Sequence, residues 1–598
     1  MMKQLRLTLV VAMLALVATA SNAGAVTWTG PVRTFYAAGS SAQFYTLALA
    51  AGLDNAAGPS TPAPCGEHHW THSSSLGSTG AQIHDPRGSG APDEVGSVWA
   101  VWNDDFAAGL AGTATSAQQG TICVMVTIDS TVGVREYFAR STIVMNATSG
   151  FPISDGGIIP GLPIDSNGLP QIVSNYINGQ VLNVGVTDIR PEDAKFATIR
   201  ALTGIGTRVS RTSYTGAGYG PFYKGPAILS AYTSGKSAQP VDFVMAENEP
   251  DPFDSLTPRS YGVIDVGASP VMIVRNIAQT GAGHLGNAVY NNINRYVLRD
   301  VFSGQDTHIR QIATVSGQPD HPIHTWQREC LSGTFNTMEF DIMLNEESWP
   351  TLLSLNNIGQ ETGVNTADAN CAAFPCAVES GNPFYHCGVA YGGACPGGGP
   401  ATATSATRGR VIGTGDMINA LVGTPDSIGY AFWGFSNFSG KAGIAYMTVD
   451  GIDPLFTTPT ANPGTPYSFP TCAAIPCVSS SGVTLTNVAN GSYPIWSVLR
   501  QVYDNTDPTN FYNGLVIYEQ AAATNSFPDF LPFTSLQVFR SHFGQLISDV
   551  TYDGQVPNNG FVSGIPETGG DMGGAVLTVQ SELDYYNDTG NQQVNERQ

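Results

Sequence analysis

The sequence predicts an α/β protein, and three observations carry that prediction. Apolar, strand-forming runs alternate with helix-like runs along the chain. Several of these pairs are joined by tight hydroxyl- or glycine-bearing turns, as at Gly39-Ser40-Ser41-Ala42. The chain is also long, 598 residues, enough for two or three sizeable cores.

Val32 to Ala38 reads as the first strand, and Gln43 to Leu53 as the helix after the Gly39 turn. Backbone donors and a hydroxyl at such a turn suit an anion. A Gly/Ser/Pro-rich passage follows, where His68, His69 and His72 read as loop residues rather than metal ligands. Val98 to Trp102 and Ile122 to Ile128 read as buried strands. A short apolar strand from Leu182 ends at Asp188, and Pro191-Glu192-Asp193 opens a helix. Open α/β sheets place ligands at the carboxyl ends of strands, which makes Asp188 a candidate ligand; helix capping is its alternative.

Val241 to Ala246 reads as another strand, and Val263 to Asn276 as an extended segment able to cross between domains. Val297 to Gly304 is a helix ending at glycine. Gly413 to Asn419 turns into a helix, Asp426 to Phe432 is a strand, and Asn490 to Trp496 starts a helical run ending near Tyr503.

The loop Arg328-Glu329-Cys330-Leu331-Ser332-Gly333-Thr334 organises the rest. Ser332 is placed to cap a helix through Phe335 to Phe340, leaving backbone N–H groups directed at one spot. Orphan donors and the helix dipole make that spot favourable for an anion, and Arg328 adds a planar guanidinium fork. Alone, the same pattern is also an ordinary capped helix with an arginine nearby.

Composition narrows the class. Met1 to about Ala23 reads as a secretory signal, with Lys3 and Arg6, an apolar stretch from Leu7 to Thr19, and a Ser21-Asn22-Ala23 cleavage site. No stretch is long and apolar enough to span a membrane, and no cysteine marks a lipid anchor, so a periplasmic or extracellular location is expected. The net charge of −22 argues against nucleic acid or an anionic membrane as partner. Charged residues are 12%, yet apolar residues reach 42%, so the chain is loop-rich but not disordered. Nine cysteines in an exported chain point to disulfides. Cys371–Cys376 and Cys472–Cys477 are near-copies expected to close small loops, followed by Cys387 with Cys395 and Cys65 with Cys123, leaving Cys330 over. No metal or other cofactor is expected.

Six segments, in this order, resemble the periplasmic phosphate-binding proteins of Pst-type ABC transporters. Gly39-Ser-Ser-Ala42 is similar to their first turn, and Thr187-Asp188-Ile-Arg-Pro-Glu-Asp193 to Ser-Asp-Ala-Pro-Leu-Ser-Asp. Val297 to Gly304 is similar to Leu-x-Asp-Ile-Phe-x-Gly, and Arg328 to Thr334 to Arg-x-Asp-x-Ser-Gly-Thr. Asp426-Ser-Ile-Gly-Tyr430 and Gly491-Ser-Tyr-Pro-Ile-Trp496 complete the series. The resemblance covers roughly half the chain, with insertions at about 54–180, 200–240, 365–405 and 455–485.

The resemblance implies a two-lobed periplasmic-binding-protein-like fold with a hinge and disulfide-closed loop insertions. Residues 27–272 with 440–598 would form one lobe and 273–439 the other. It implies a monomer binding inorganic phosphate or a similar oxyanion, serving an ABC permease. Ser40, Ser41, Ala42, Asp188, Arg328, Ser332, Gly333 and Thr334 would line the site. Ser74 and Ser75 are candidates for the family's second-strand serine loop, with Gly216-Ala-Gly218 a poorer match. Cys330 stands where the family has an aspartate that orients the arginine. A carboxylate such as Asp188 selects an anion that carries a proton, which hydrogen phosphate does near neutral pH and sulfate does not.

A second class is a secreted surface or adhesive protein using the same scaffold without tight anion binding. A secreted hydrolase finds no support, since the chain has no Gly-x-Ser-x-Gly elbow and no His-Glu-x-x-His pair. Catalytic residues are therefore not expected.

Overall fold

The computed structural model describes residues 33–52, 64–72, 81–84, 86, 94–112, 120–145, 169–189, 262–303, 306, 308–313, 319, 321–328, 332–342, 407–411, 413–459, 464–471, 482–504, 511–524, 528–540 and 576–578. Several expectations fall outside them: the signal segment, Ser74 and Ser75, Gly216 to Gly218, the helix at Pro191, the strand at Val241, and every cysteine except Cys65 and Cys123.

The first part of the chain holds β1 (Arg33–Gly39), α1 (Phe44–Gly52), β2 (His68–His72), β3 (Ala81–His84), β4 (Glu94–Gly96), β5 (Val98–Trp102) and α2 (Asp104–Leu110). Next come β6 (Thr121–Thr127), α3 (Ser130–Ala139), β7 (Thr142–Met145), α4 (Gln171–Ile177), β8 (Val184–Thr187) and the long β9 (Gly262–Asn276). The remainder holds β10 (Asn292–Ile293), α5 (Arg295–Ser303), β11 (His324–Arg328), α6 (Gly333–Asp341), β12 (Thr407–Val411), α7 (Thr414–Gly423), β13 (Ser427–Phe432) and β14 (Ile444–Val449). It ends in β15 (Trp496–Tyr503), α8 (Phe511–Thr524), β16 (Leu531–Pro532), β17 (Val538–Arg540) and β18 (Val576–Thr578).

Among the described residues, thirteen strands form one mixed sheet: ten follow the path β12-β11-β13-β9-β15-β8-β1-β6-β5-β2, while β14 and β16 pair with β9 and β10 pairs with β14. β8, β1 and β6 are parallel neighbours, and so are β12, β11 and β13. β9 joins the two groups: Gly262 to Pro270 pair with β15, while Val271 to Asn276 pair with β13 and β14, all antiparallel. The extended segment at Val263 to Asn276 is thus as expected.

β1 shows why the strands read as continuous apolar runs. Phe35 and Ala37 enter one core with Leu47 of α1 and Leu515 of α8, while Tyr36 and Ala38 enter another with Trp70 and Val124. A strand buried on both faces has no polar side to alternate with. Cys65 and Cys123 form a disulfide that ties the segment before β2 to β6, as the sequence reading paired them.

Two local readings are corrected. Trp496 to Tyr503 is strand β15, not a helix. It runs between β8 and β9, and all of it but Tyr503 is buried, so tertiary pairing decides its conformation. His68 to His72 is strand β2, not loop, pairing antiparallel with β5 and carrying the buried Trp70.

Candidate functional site

The site forms where strand ends deliver hydroxyl and carboxyl side chains. Because β8, β1 and β6 run parallel side by side, Asp188, the Ser40–Ala42 turn and Asp129-Ser130 follow neighbouring strand ends. β11 delivers Arg328 at its last position, and Ser332 then begins α6. The Ser332 hydroxyl accepts from the Phe335 N–H at 3.4 Å, the N-cap expected from sequence.

Asp129 is the N-cap residue of α3, yet its carboxylate makes no capping hydrogen bond. It faces Arg328 instead, whose Nη2 donates to Oδ1 at 2.8 Å. Arg328 Nη1 also donates to the Thr334 hydroxyl at 3.3 Å. Both members of the ion pair are almost fully buried, where charge is costly without a partner.

Asp188 is 1% exposed and accepts through Oδ1 from the Ser130 hydroxyl. Gly333 lies directly on that carboxylate, and any β-carbon there would overlap it. Gly133 plays the same part for α3: a β-carbon would meet the backbone of Ala38 and Gly39, so glycine lets the helix start sit on β1. Burial pushes the Asp188 carboxyl up to about 7, with Asp129 adding to the rise and Arg328 and Arg500 opposing it.

The first turn is held firmly. Ser40 N donates to Val186 O at 2.8 Å, and Gln43 Nε2 to Thr187 O and Arg500 O at 3.1 Å each. Ala42 N donates to the Ser40 hydroxyl at 3.2 Å. Ser41 Oγ lies 3.0 Å from Thr414 Oγ1, and it accepts from Thr414 N at 3.4 Å. Thr414 opens α7, so this contact links the first turn to the helix between β12 and β13.

Of the residues singled out from sequence, Asp188, Arg328, Gly333 and Thr334 gather in one cluster, with Ser332 capping its helix. Ser40, Ser41 and Ala42 occupy the turn after β1, with Ser41 turned to Thr414. Sequence reasoning missed Asp129, Ser130 and Thr131. Their signal was present: an apolar strand ending in Asp-Ser-Thr and entering a helix repeats the pattern that picked out Ser40 and Asp188. A carboxylate partner of the arginine is likewise Asp129, at the start of α3.

The cluster combines the starts of α3 and α6, each with backbone N–H groups lacking an intrahelical acceptor. Beside them lie a guanidinium and a carboxyl group that exchanges its proton near neutrality. Such a set suits an oxyanion that shares one proton with the protein.

No protein-family model matches the chain, and no curated protein matches it. Among solved structures, the ancestral soluble variant of the human phosphate binding protein is 14% identical, covering 69% of this chain and 85% of its own at a TM-score of 0.27. A phosphate-binding protein from Stenotrophomonas maltophilia is 14% identical over 51% and 76%, at 0.23. An ABC-type phosphate transport receptor from Vibrio cholerae is 12% identical over 44% and 68%, at 0.21.

Proposed function

We propose that this chain is an exported substrate-binding protein that holds hydrogen phosphate between two α/β lobes and delivers it to an ABC-type permease. The observation that carries the reading is the meeting of Asp188, Gly333 and Arg328. A proton-exchanging carboxyl, a helix start and a guanidinium share one buried cluster, built from strand ends of both parallel groups. Ser332, Gly333 and Thr334 would donate from α6, Ser130 and Thr131 from α3, and Ser40, Ser41 and Ala42 from the first turn. Asp188 would receive the ligand's proton, and Asp129 would keep the guanidinium oriented, the part that Cys330 cannot play.

In this reading the lobes are 27–272 with 440–598, and 273–439. The change of partners along β9 at Pro270 and Val271 supports the first boundary. β14 pairs with the later part of β9 and with β10, so we revise the second boundary: residues 440–449 go with the second lobe, leaving 450–598 with the first. Closure would swing the lobes about β9, and the protein would act as a monomer without catalysis or a cofactor.

The test is calorimetric titration with phosphate and with sulfate, repeated on Asp188→Asn and Arg328→Ala. Tight phosphate binding that both variants lose supports the proposal. No heat with either anion sinks it and favours a surface or adhesive role. Ser332→Ala should cost about 1 kcal/mol or more of binding, one charge-assisted hydrogen bond.

A further inference from the structure

At the other end of β11, away from Arg328, a second cluster of chemistry-bearing side chains stands apart from the phosphate site. His284, His321 and Asp426 each offer one metal-ligating atom, and these atoms lie within 4.8 Å of one another. His284 Nδ1 is 2.7 Å from Asp426 Oδ2, and the two imidazole rings stack with centroids 4.0 Å apart and planes 20° apart. Asp426 is held in place for this. Its Oδ1 accepts from Leu285 N at 2.9 Å, its carbonyl from His324 N at 3.0 Å, and its φ of 53° lies in the left-handed region.

We propose that His284, His321 and Asp426 bind one divalent transition-metal ion of the borderline class, such as Zn²⁺, with water completing a four-coordinate site. Two imidazole nitrogens and one carboxylate oxygen are the donor set such ions prefer over calcium or magnesium. Tetrahedral bonds of about 2.0–2.1 Å put ligand atoms about 3.3 Å apart, so the cluster needs side-chain rotation rather than backbone movement. One ring must turn out of the stack to aim its lone pair at the ion. Both histidines are partly exposed, which leaves room for that turn. The three ligands come from the segment after β9, the segment before β11 and the residue before β13. One ion would therefore tie together the starts of β11 and β13, about 13 Å along the strand from Arg328.

The test uses tag-free protein stripped with a chelator, titrated calorimetrically with Zn²⁺ and optically with Co²⁺. One ion per chain, visible-region cobalt bands of a four-coordinate site, and a Zn²⁺-dependent rise in melting temperature are expected. Each of His284→Ala, His321→Ala and Asp426→Asn should weaken binding tenfold or more and remove the thermal shift. Asparagine tolerates the left-handed backbone and can still accept from Leu285. Should Asp426→Asn fail to fold, His321→Ala on its partly exposed loop decides the matter. Absence of Zn²⁺ uptake by the parent overturns the proposal, as does undiminished uptake by His321→Ala. Loss of uptake in His68→Ala alone also overturns it, by assigning the ion to the exposed Glu67, His68 and Asp104 group.

Discussion

Arg328 and Asp129, 199 positions apart in the chain, form a 2.8 Å ion pair that is nearly excluded from water. One member ends β11 and the other begins α3, so the pair bridges the two parallel strand groups. Removing one partner of a buried pair typically costs about 3–5 kcal/mol. Asp129→Asn keeps an acceptor, so we expect a loss near the lower end together with weaker phosphate binding. Denaturant midpoints and phosphate titration measure the two effects; an unchanged midpoint would show that the pair contributes no net stability.

Asp188 makes stability fall with rising pH. In the folded protein it keeps its proton up to about pH 7, whereas an ordinary aspartate loses it near 3.8. Between those values the folded state binds more protons than the unfolded one, so stability declines as pH rises through the window. Asp188→Asn should therefore be more stable than the parent at pH 8, by up to about 4 kcal/mol, and little different at pH 4. Unfolding curves at the two pH values decide it, and a variant less stable at pH 8 would refute the assignment.

In the proposed phosphate site, the same group would set a pH-dependent selectivity. Above pH 7 the ionised Asp188 repels an oxyanion without a proton, so sulfate is rejected. At pH 5.5 the protonated carboxyl can donate to sulfate. The phosphate-to-sulfate affinity ratio should shrink by roughly tenfold or more between pH 8 and 5.5, and Asp188→Asn should keep only the part of this dependence that comes from phosphate's own protonation. Competition titrations at both pH values supply the measurement.

Gly333→Ala should be far more damaging than alanine normally is at a helix start. Its methyl group meets the Asp188 carboxylate, so overpacking of about 1–3 kcal/mol is expected, with phosphate affinity falling at least tenfold. Parental affinity in this variant would mean that α6 does not sit on Asp188 in solution.

The Cys65–Cys123 disulfide closes a 58-residue separation. Chain-entropy arguments assign a loop of that length about 4 kcal/mol at 25 °C. The Cys65→Ser, Cys123→Ser double variant should unfold at correspondingly lower denaturant, and no shift would mean that the reduced unfolded chain is as constrained as the oxidised one.

What the sequence revealed depended on how local the signal was. The cap at Ser332, the strand end at Asp188 and the turn at Ser40 each rest on a few adjacent residues, and each was legible. β15 was not, because Trp496 to Tyr503 takes its conformation from β8 and β9, hundreds of residues earlier. The strand at His68 to His72 was hidden in a similar way, since its partner β5 supplies its ladder. At the site, Asp129 and Ser130 carried the same pattern as the residues that were noticed. Their pairing with Arg328 and Asp188, however, crosses the sheet, and no spacing along the chain encodes it.

β15 also dictates an order of events. It fills the gap between β8 and β9, yet it is made some three hundred residues after β8 and more than two hundred after β9. Until it emerges, each of those strands has a ladder edge awaiting its native partner, and such edges invite pairing with other chains. The half of the sheet that carries Asp188 can therefore be completed only late in synthesis. Its assembly is a long-range closure, the kind of step that contact-order arguments make slow.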